Sequence, residues 1–358
     1  MLNNQVSDYI LLPFKISYSE RRYGDCRTKA FKQVLENYGL NYSVQQIFGI
    51  GQGLSFAIQQ IKFHQIALLG VEGRSFDAEL EFCKKCGVNC QEHYIEKNDG
   101  ISKEIIPFEI EILEWLARGN PVLVQCDVYY MSYLNRVKRS HNERHLVTII
   151  GFDLKKKLLY VVDSLLNEIT TVAMEELYYA MFEKQYSLDK RGIWYSIEQQ
   201  NLHFDDLEYK IHKQSINLLG QRMLSAEGDL NTLSNFIAFI ERLTAKGMDG
   251  SVNHNKYLEY IVCGNCYIIR QQDELNGSCF RSLYLKYIRE VTSCYGNDTE
   301  ELKRIIEYLE ESESVWKTIS YRLRYSKDNI LSKAHIFIEN LKRIYELEKK
   351  MAELMLKV

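Results

Sequence analysis

The order of hydrophobic and polar residues over the first 200 positions predicts a mixture of helices and strands. Residues 26–38 carry their apolar side chains at i, i+1, i+4, i+5 and i+8, which form one stripe on a helix. Asp25 stands at the N-cap position of this helix and Gly39 at its C-terminal end. Similar spacing predicts further helices at 54–62, 76–86, 105–118 and 175–182.

Four short segments have the composition of β-strands. Residues 121–127, 145–153, 158–164 and 192–197 are rich in β-branched and aromatic side chains. The second and third segments are joined by the sequence LKKK, a length that suits a hairpin connection. We therefore expect two antiparallel strands whose equivalent ends lie side by side.

The pattern changes near residue 206. From there to residue 358 the apolar spacing is heptad-like and Lys/Glu pairs are frequent, which predicts helices almost throughout. Interruptions are expected near Gly247, Gly250, Gly277 and Gly296. We predict an α+β domain over 1–203, with an antiparallel sheet packed against helices, followed by an all-α domain over 204–358.

Composition excludes several functional classes. The 358 residues include 45 Lys+Arg and 48 Asp+Glu, so the formal charge of −3 argues against a nucleic-acid partner. No run reaches the roughly 18 consecutive apolar residues of a membrane helix, and the start of the chain has no targeting pattern. Nine irregularly spaced cysteines without a signal peptide predict reduced thiols in a cytoplasmic protein.

Cys26 has the strongest chemical context of these cysteines. It begins a predicted helix, where unpaired backbone N–H groups and the helix dipole favour an anion. This position lowers the pKa of a thiol and favours the nucleophilic thiolate. The alternative is an ordinary buried cysteine, which is the commoner role for a single cysteine at a helix start.

His145 and Asp163 are candidates for the partners of Cys26. His145 begins one predicted strand, and Asp163 ends the next, 163 − 145 = 18 residues later. The order of a cysteine, a distant histidine and an acid on the neighbouring strand is that of papain-like enzymes, in which the imidazole deprotonates the thiol. Each residue alone is more often structural, but the joint arrangement favours catalysis.

Two other patterns suggest ligand sites. The segment FGIGQGL lacks the Lys-Ser/Thr of a P-loop, and we interpret Gly51 and Gly53 as tight backbone that lines a cleft. Asp127 and Asp25 are candidates to hold a cationic amine, although an N-cap is the alternative for Asp25.

A third pattern has the residue types of a zinc site. Cys83, Cys86, Cys90 and His93 lie close together in the sequence, but their spacing is irregular and the first two fall in a helical pattern. We therefore expect no metal.

Several segments together resemble the butirosin-biosynthesis acyltransferase family. The resemblance is carried by DCRTKAFKQVLENYGLNYSVQQIFGIGQGLSF, GNPVLVQCDVYYMSY, HLVTIIGFD, YVVDS and EELYYAMF. In the C-terminal half, DELNGSCFRSLYLKYIREV is similar to the Gly-containing turn and Phe-Arg-x-x-Tyr helix of that family. The resemblance spans almost the whole chain.

The resemblance implies a papain-like fold and a function in natural-product biosynthesis, of a non-ribosomal peptide or an antibiotic. An acyl or peptidyl group would pass from the phosphopantetheine thioester of a carrier protein, through acyl-Cys26, to a small-molecule amine. This chemistry is similar to amide formation in closthioamide assembly. His145 and Asp163 carry over as base and orienting acid, and no cofactor of the enzyme itself is implied.

The remaining site residues are candidates on the same basis. Substrate binding is assigned to Gly51, Gly53, Asp127, Tyr130 and Arg281. Arg136, Lys138 and Arg139 precede His145, and we expect them to dock an acidic carrier protein, with a solvated surface as the alternative. Further basic residues around the nucleophile, Arg27 and Lys29 among them, are expected at the same rim.

Two departures from papain-like enzymes and two rival functions stay open. The position six residues before Cys26, where such peptidases have an oxyanion-hole glutamine, is Glu20, and Ser132 replaces a family-typical proline. The rivals are a papain-like cysteine peptidase or thioesterase with the same three residues, and a binding module without catalysis. The helical domain either covers the acyl pocket or forms a homodimer interface.

Overall fold

The computed structural model describes residues 7–16, 25–63, 66–96, 110–134, 144–166, 168–182, 190–198, 209–248, 252–295 and 299–358. The strands are β1 (Tyr9–Leu11), β2 (Leu54–Phe63), β3 (Ile66–Arg74), β4 (Cys90–Glu96), β5 (Val122–Cys126), β6 (His145–Asp153), β7 (Leu158–Asp163), β8 (Thr170–Ala173) and β9 (Lys190–Ile197).

The helices follow the same chain order. They are α1 (Cys26–Asn37), α2 (Val44–Ile50), α3 (Ala78–Lys85), α4 (110–117), α5 (Met174–Phe182), α6 (Tyr209–Leu224), α7 (Asp229–Met248), α8 (Val252–Leu275), α9 (Arg281–Tyr295), α10 (Glu300–Lys317) and α11 (Ile330–Met355). Short 3₁₀ turns lie at Val128–Tyr130 and Ser132–Leu134, and Thr318–Leu323 is π-helical.

The chain divides into two compact units. The first comprises 1–21, 26–44 and 83–204, and the second comprises 22–25, 45–82 and 205–358. Residues 45–82 thus group with the C-terminal helices, although we had expected them in the first domain. The chain has the α+β class that the sequence predicts, with an antiparallel sheet and a helical C-terminal region.

The first unit is built on one antiparallel sheet. Its strand order is β4-β9-β5-β6-β7-β8, and β1 pairs with the end of β6. α4 and α5 pack on one face, where Trp115 and Leu177 meet strand residues such as Val124 and Val147. Gln125 and Tyr195 point to the other face, where they contact Arg27 of α1. The strands predicted at 121–127, 145–153, 158–164 and 192–197 are confirmed.

The second unit combines helices with a β-hairpin. Phe56 of β2 packs on Phe236 of α7 and Trp316 of α10, with ring centroids 6.3 and 6.1 Å apart. The prediction of a helix at 54–62 is therefore wrong, because this segment is strand β2, which pairs with β3. Among the described residues, no helix combines the length and hydropathy needed to cross a membrane.

Candidate active site

The sheet brings the three predicted catalytic residues to one end of the first unit. Cys26 is the first residue of α1, His145 the first of β6 and Asp163 the last of β7. Antiparallel pairing places Asp163 opposite Val147, two residues beyond His145. The start of β6 and the end of β7 are adjacent in the sheet, and α1 packs on β6. Cys26 and Asp163, which are 137 positions apart in the sequence, therefore lie at the same end of the unit.

The three side chains form a connected set. The Nε2 atom of His145 lies 2.8 Å from the Oδ2 atom of Asp163. The Cys26 sulfur is close enough to raise the pKa of His145, and because Nε2 contacts Asp163, Nδ1 is the ring nitrogen left for the sulfur. His145 and Asp163 are 2% and 1% exposed, whereas Cys26 is partly exposed. The buried pair thus supports a sulfur that a substrate can reach.

His145 and Asp163 each stabilise the charged form of the other. Burial alone would lower the pKa of His145, but the Asp163 carboxylate and then the Cys26 sulfur hold that pKa well above its usual range. Burial alone would raise the pKa of Asp163, yet His145 and the hydrogen bonds to the carboxylate lower it. The arrangement favours an imidazolium paired with the ionised Asp163 carboxylate.

Tyr133 is a member of this site that sequence reasoning did not identify. Its hydroxyl donates to Asp163 Oδ2 over 2.8 Å, the same oxygen that contacts His145. The backbone N–H of Leu165 donates to the other oxygen, also over 2.8 Å. Tyr133 lies on a 3₁₀ turn after β5, so neither periodicity nor motif spacing could have predicted the contact.

Arg27 fixes the start of α1 against the sheet. It is 3% exposed, and its Nη1 and Nη2 atoms donate to Gln125 Oε1 and to the Tyr195 hydroxyl over 2.7 and 2.8 Å. That hydroxyl donates to Glu92 over 3.0 Å. Arg27 therefore positions α1, the helix that begins with the nucleophile. Lys29 is also buried, at 6% exposed. Our prediction that these two residues belong to an exposed docking rim is wrong.

The segment that contains these residues matches a known family. Residues 25–164 match the family model described as butirosin biosynthesis protein H, N-terminal. Over this segment the chain is similar to the butirosin-biosynthesis acyltransferase family. The search of curated proteins found no match to the chain. This match supports acyl transfer in biosynthesis as the class of function.

Two substrate-binding candidates lie inside the family segment, on the turn that follows β5. Asp127 is 1% exposed and its carboxylate accepts from the Tyr129 backbone N–H over 3.0 Å, so it caps the 3₁₀ turn. Tyr130 is half-buried, with its ring edge on Tyr129 at a centroid distance of 5.1 Å. The geometry gives Asp127 a structural role and leaves Tyr130 accessible.

Gly51 and Gly53 of the family segment lie in the second unit. A Cβ at Gly51 would overlap the carbonyl oxygen of Ala78, and a Cβ at Gly53 would overlap the ring of Phe48. The close approach is therefore made by the protein's own residues, which gives these glycines a packing role in place of the cleft lining that we expected.

Arg281, outside the family segment, is also committed to internal contacts. It is 1% exposed, and its Nε and Nη2 atoms each lie 2.8 Å from a carboxylate oxygen of Glu348. This geometry gives Arg281 a structural role in place of the substrate binding that we expected.

The remaining candidates are the residues of the possible zinc site, the docking residues and the oxyanion position. The structure describes the first group but not the other two. Among described residues, no three His, Cys, Asp or Glu side chains come together as metal ligands; Cys83 and Cys86 are buried, and His93 stacks on Trp194. The docking candidates Arg136, Lys138 and Arg139, and the oxyanion position Glu20, lie outside the described residues.

Proposed function

We propose that the chain is a cysteine-dependent amide synthase with a papain-like first unit. In this proposal an acyl or peptidyl group moves from a carrier-protein thioester to Cys26 and then to a small-molecule amine. The observation that carries the proposal is the connected set of Cys26, His145 and Asp163, at 2.8 Å between imidazole and carboxylate. The family of residues 25–164 supports acyl transfer as the reaction class.

The electrostatics of the site suit the first step. The Cys26 thiolate would attack the thioester carbonyl, the bond from that carbon to the carrier sulfur would break, and the His145 imidazolium would give its proton to the departing sulfur. The raised pKa of His145 means that this proton is present at neutral pH. Exchange of one thioester for another needs little driving force.

The second step would use the neutral imidazole that the first step leaves. An amine nitrogen attacks the acyl-Cys26 carbonyl, His145 accepts a proton from that nitrogen, and the Cys26 sulfur departs as thiolate, which restores the ion pair. Asp163 keeps the imidazole oriented in both steps and stabilises its charged form. Both steps need only side chains and the phosphopantetheine of the donor, so no enzyme-bound cofactor enters the proposal.

Intact-mass analysis tests the covalent step. The purified chain is mixed with acyl-loaded carrier proteins, and we expect an added acyl mass on wild type and on Cys294→Ala, a matched variant of an exposed cysteine. Cys26→Ala should acquire no such mass. An acyl adduct that persists in Cys26→Ala would contradict the proposal.

The product distinguishes transfer from its rival. When a candidate amine is added to the acylated enzyme, an amide synthase releases amide and only slowly forms acid without the amine. Free acid at the same rate with and without amine would instead indicate the thioesterase or peptidase alternative. A chain with no Cys26 selectivity towards a thiol-directed electrophile would indicate the binding module.

A further inference from the structure

The candidate active site has a nucleophile and a base, but attack on a thioester also calls for hydrogen-bond donors to the carbonyl oxygen. That oxygen becomes an oxyanion as the thiolate adds, and enzymes stabilise it with donors that are already in place. The backbone N–H of Cys26 is one such donor, because the first N–H groups of a helix have no acceptor within the helix. A second donor is needed beside the start of α1.

Gln125 lies at this position because α1 runs antiparallel across β5. The Arg27 guanidinium, in the first turn of α1, donates to Gln125 near the end of β5 over 2.7 Å. The Tyr38 hydroxyl, just beyond the last turn of α1, donates to Asn120, just before the start of β5, over 3.2 Å. Cys26, the first residue of α1, therefore lies at the end of β5 that carries Gln125.

The pairing of β5 with β6 also places Gln125 next to the base. Gln125 is opposite Leu146, and the next pair along the ladder joins Cys126 to His145. The Cys26 sulfur is close enough to raise the pKa of both Cys126 and His145. Nucleophile, base and Gln125 therefore meet at the same strand end.

Contact with Arg27 fixes the orientation of the Gln125 amide. A guanidinium has only donors, so the amide oxygen must face Arg27, which leaves the Nε2 donor on the other side of the amide. Arg27 is itself held by Tyr195, so the amide cannot turn over without loss of this hydrogen bond. Gln125 is 9% exposed, and its Nε2 atom has no acceptor in the part of the chain that the structure describes, yet it is not sealed from solvent. This N–H is thus preorganised and open to a substrate oxygen.

We propose that the Gln125 Nε2 donates, together with the Cys26 backbone N–H, to the carbonyl oxygen of the acyl group. The oxygen gains negative charge as the bond from Cys26 sulfur to the carbonyl carbon forms, and loses it as the carrier sulfur departs with the proton of His145. The inference rests on the function proposed for Cys26. It gives Gln125 the part that papain-like peptidases give to a glutamine six residues before the cysteine, where this chain has Glu20.

The variant Gln125→Glu separates the donor from the contact with Arg27, because it keeps an oxygen for the guanidinium and removes the N–H. Two reagents report on Cys26. p-Nitrophenyl acetate acylates the thiolate through an oxyanion and releases p-nitrophenolate, whereas iodoacetamide alkylates the same sulfur by direct displacement of iodide, without an oxyanion.

We expect Gln125→Glu to slow acylation of Cys26 about a hundredfold, measured with the Cys26→Ala background subtracted, and to leave the alkylation rate nearly unchanged. An equal loss with both reagents would show that Gln125 only positions the nucleophile. Acylation at the wild-type rate would show that it does not donate to the oxyanion. Either result would overturn the proposal.

Two further variants complete the test. Gln125→Met removes the amide without adding a charge and should also slow acylation, by about tenfold or more. Gln91→Glu, at an exposed position of β4, is the matched control and should leave both rates unchanged. A wild-type Cys26 that reacts with neither reagent would contradict the function proposed for Cys26, whereas equal acylation of wild type and Gln125→Met would contradict only the role of Gln125.

Discussion

At the scale of single residues, the candidate site depends on how one carboxylate is kept ionised. Asp163 is 1% exposed, and a carboxylate buried without partners would take up a proton. Its Oδ2 atom accepts from both His145 and Tyr133, and Oδ1 accepts from the Leu165 N–H. These three hydrogen bonds stabilise the anion, and the anion in turn stabilises the charged His145.

We predict that Tyr133→Phe lowers kcat about tenfold and leaves KM for the thioester almost unchanged, because the lost hydrogen bond acts on Asp163 and not on substrate. The Tyr133 hydroxyl helps to lower the Asp163 pKa, so its removal should raise that pKa. The carboxylate would then be protonated at a higher pH. The acid limb of kcat/KM against pH should accordingly move to higher pH.

Tyr129→Phe is the matched control for this measurement, since Tyr129 belongs to the same turn region and is 44% exposed. It should leave both kcat and the acid limb in place. A Tyr133→Phe enzyme with wild-type kcat and an unmoved acid limb would show that the hydroxyl does not act through Asp163.

At the scale of elements, the segment from α2 to β2 shows what a local pattern can and cannot predict. The apolar stripe of α1 and the β-branched strands β5, β6 and β7 were predictable, because each pattern reflects a buried face of that same element. The spacing over 54–62 also fits a helix, but Phe56 packs on Phe236 and Trp316, far away in the chain. Tertiary packing therefore decided between two local alternatives.

A substitution at Gly51 tests whether the segment 45–82 packs against its own residues or lines a cleft. We predict that Gly51→Ala lowers the free energy of unfolding by about 3 kcal/mol, since the new methyl group would overlap the Ala78 carbonyl and backbone cannot move aside as a flexible side chain can. Gly39→Ala is the comparison: its φ is 83° but no atom lies within 4 Å, so we expect about 1 kcal/mol.

Urea denaturation measures both losses, and hydrogen exchange of the amides in 45–82 assigns the larger one to this segment. If Gly51→Ala has the wild-type urea midpoint but binds substrate poorly, Gly51 lines a cleft, as the sequence alone suggests.

At the scale of the whole molecule, the second unit is held together by a buried ion pair between distant parts of the chain. Besides its two contacts with Glu348, Arg281 donates to the carbonyls of Ser55 and Cys279 over 3.1 and 2.7 Å. Glu348 also accepts from Ser312 and Trp316 over 2.7 and 3.3 Å. The network joins β2, α9, α10 and α11. The sequence identified Arg281 but could not identify its partner, because 67 positions separate the two residues.

This network leads to a prediction about the stability of the second unit. Arg281→Met should cost about 3–5 kcal/mol of unfolding free energy, because it leaves the Glu348 carboxylate buried without its countercharge. The double change Arg281→Met with Glu348→Leu removes both charges and should recover part of that loss, though not all, since Ser312 and the Trp316 N–H lose their acceptor. If the double variant is no more stable than Arg281→Met alone, the uncompensated charge is not the source of the loss.

The pH dependence of stability separates the charge of Glu348 from its packing. Burial alone would raise the pKa of Glu348, but Arg281 and the other hydrogen-bond donors to this carboxylate lower it below its ordinary value. A carboxylate whose pKa is lower in the folded than in the unfolded chain stabilises the fold above the unfolded pKa, and this contribution is lost as pH falls through the folded pKa. The stability difference between wild type and Glu348→Gln, followed by urea denaturation, should therefore be constant above about pH 5 and shrink below about pH 4. A difference that persists unchanged at low pH would mean that Glu348 stabilises the helices by shape and hydrogen bonding alone, and that the charge of Arg281 is balanced by the carbonyls of Ser55 and Cys279.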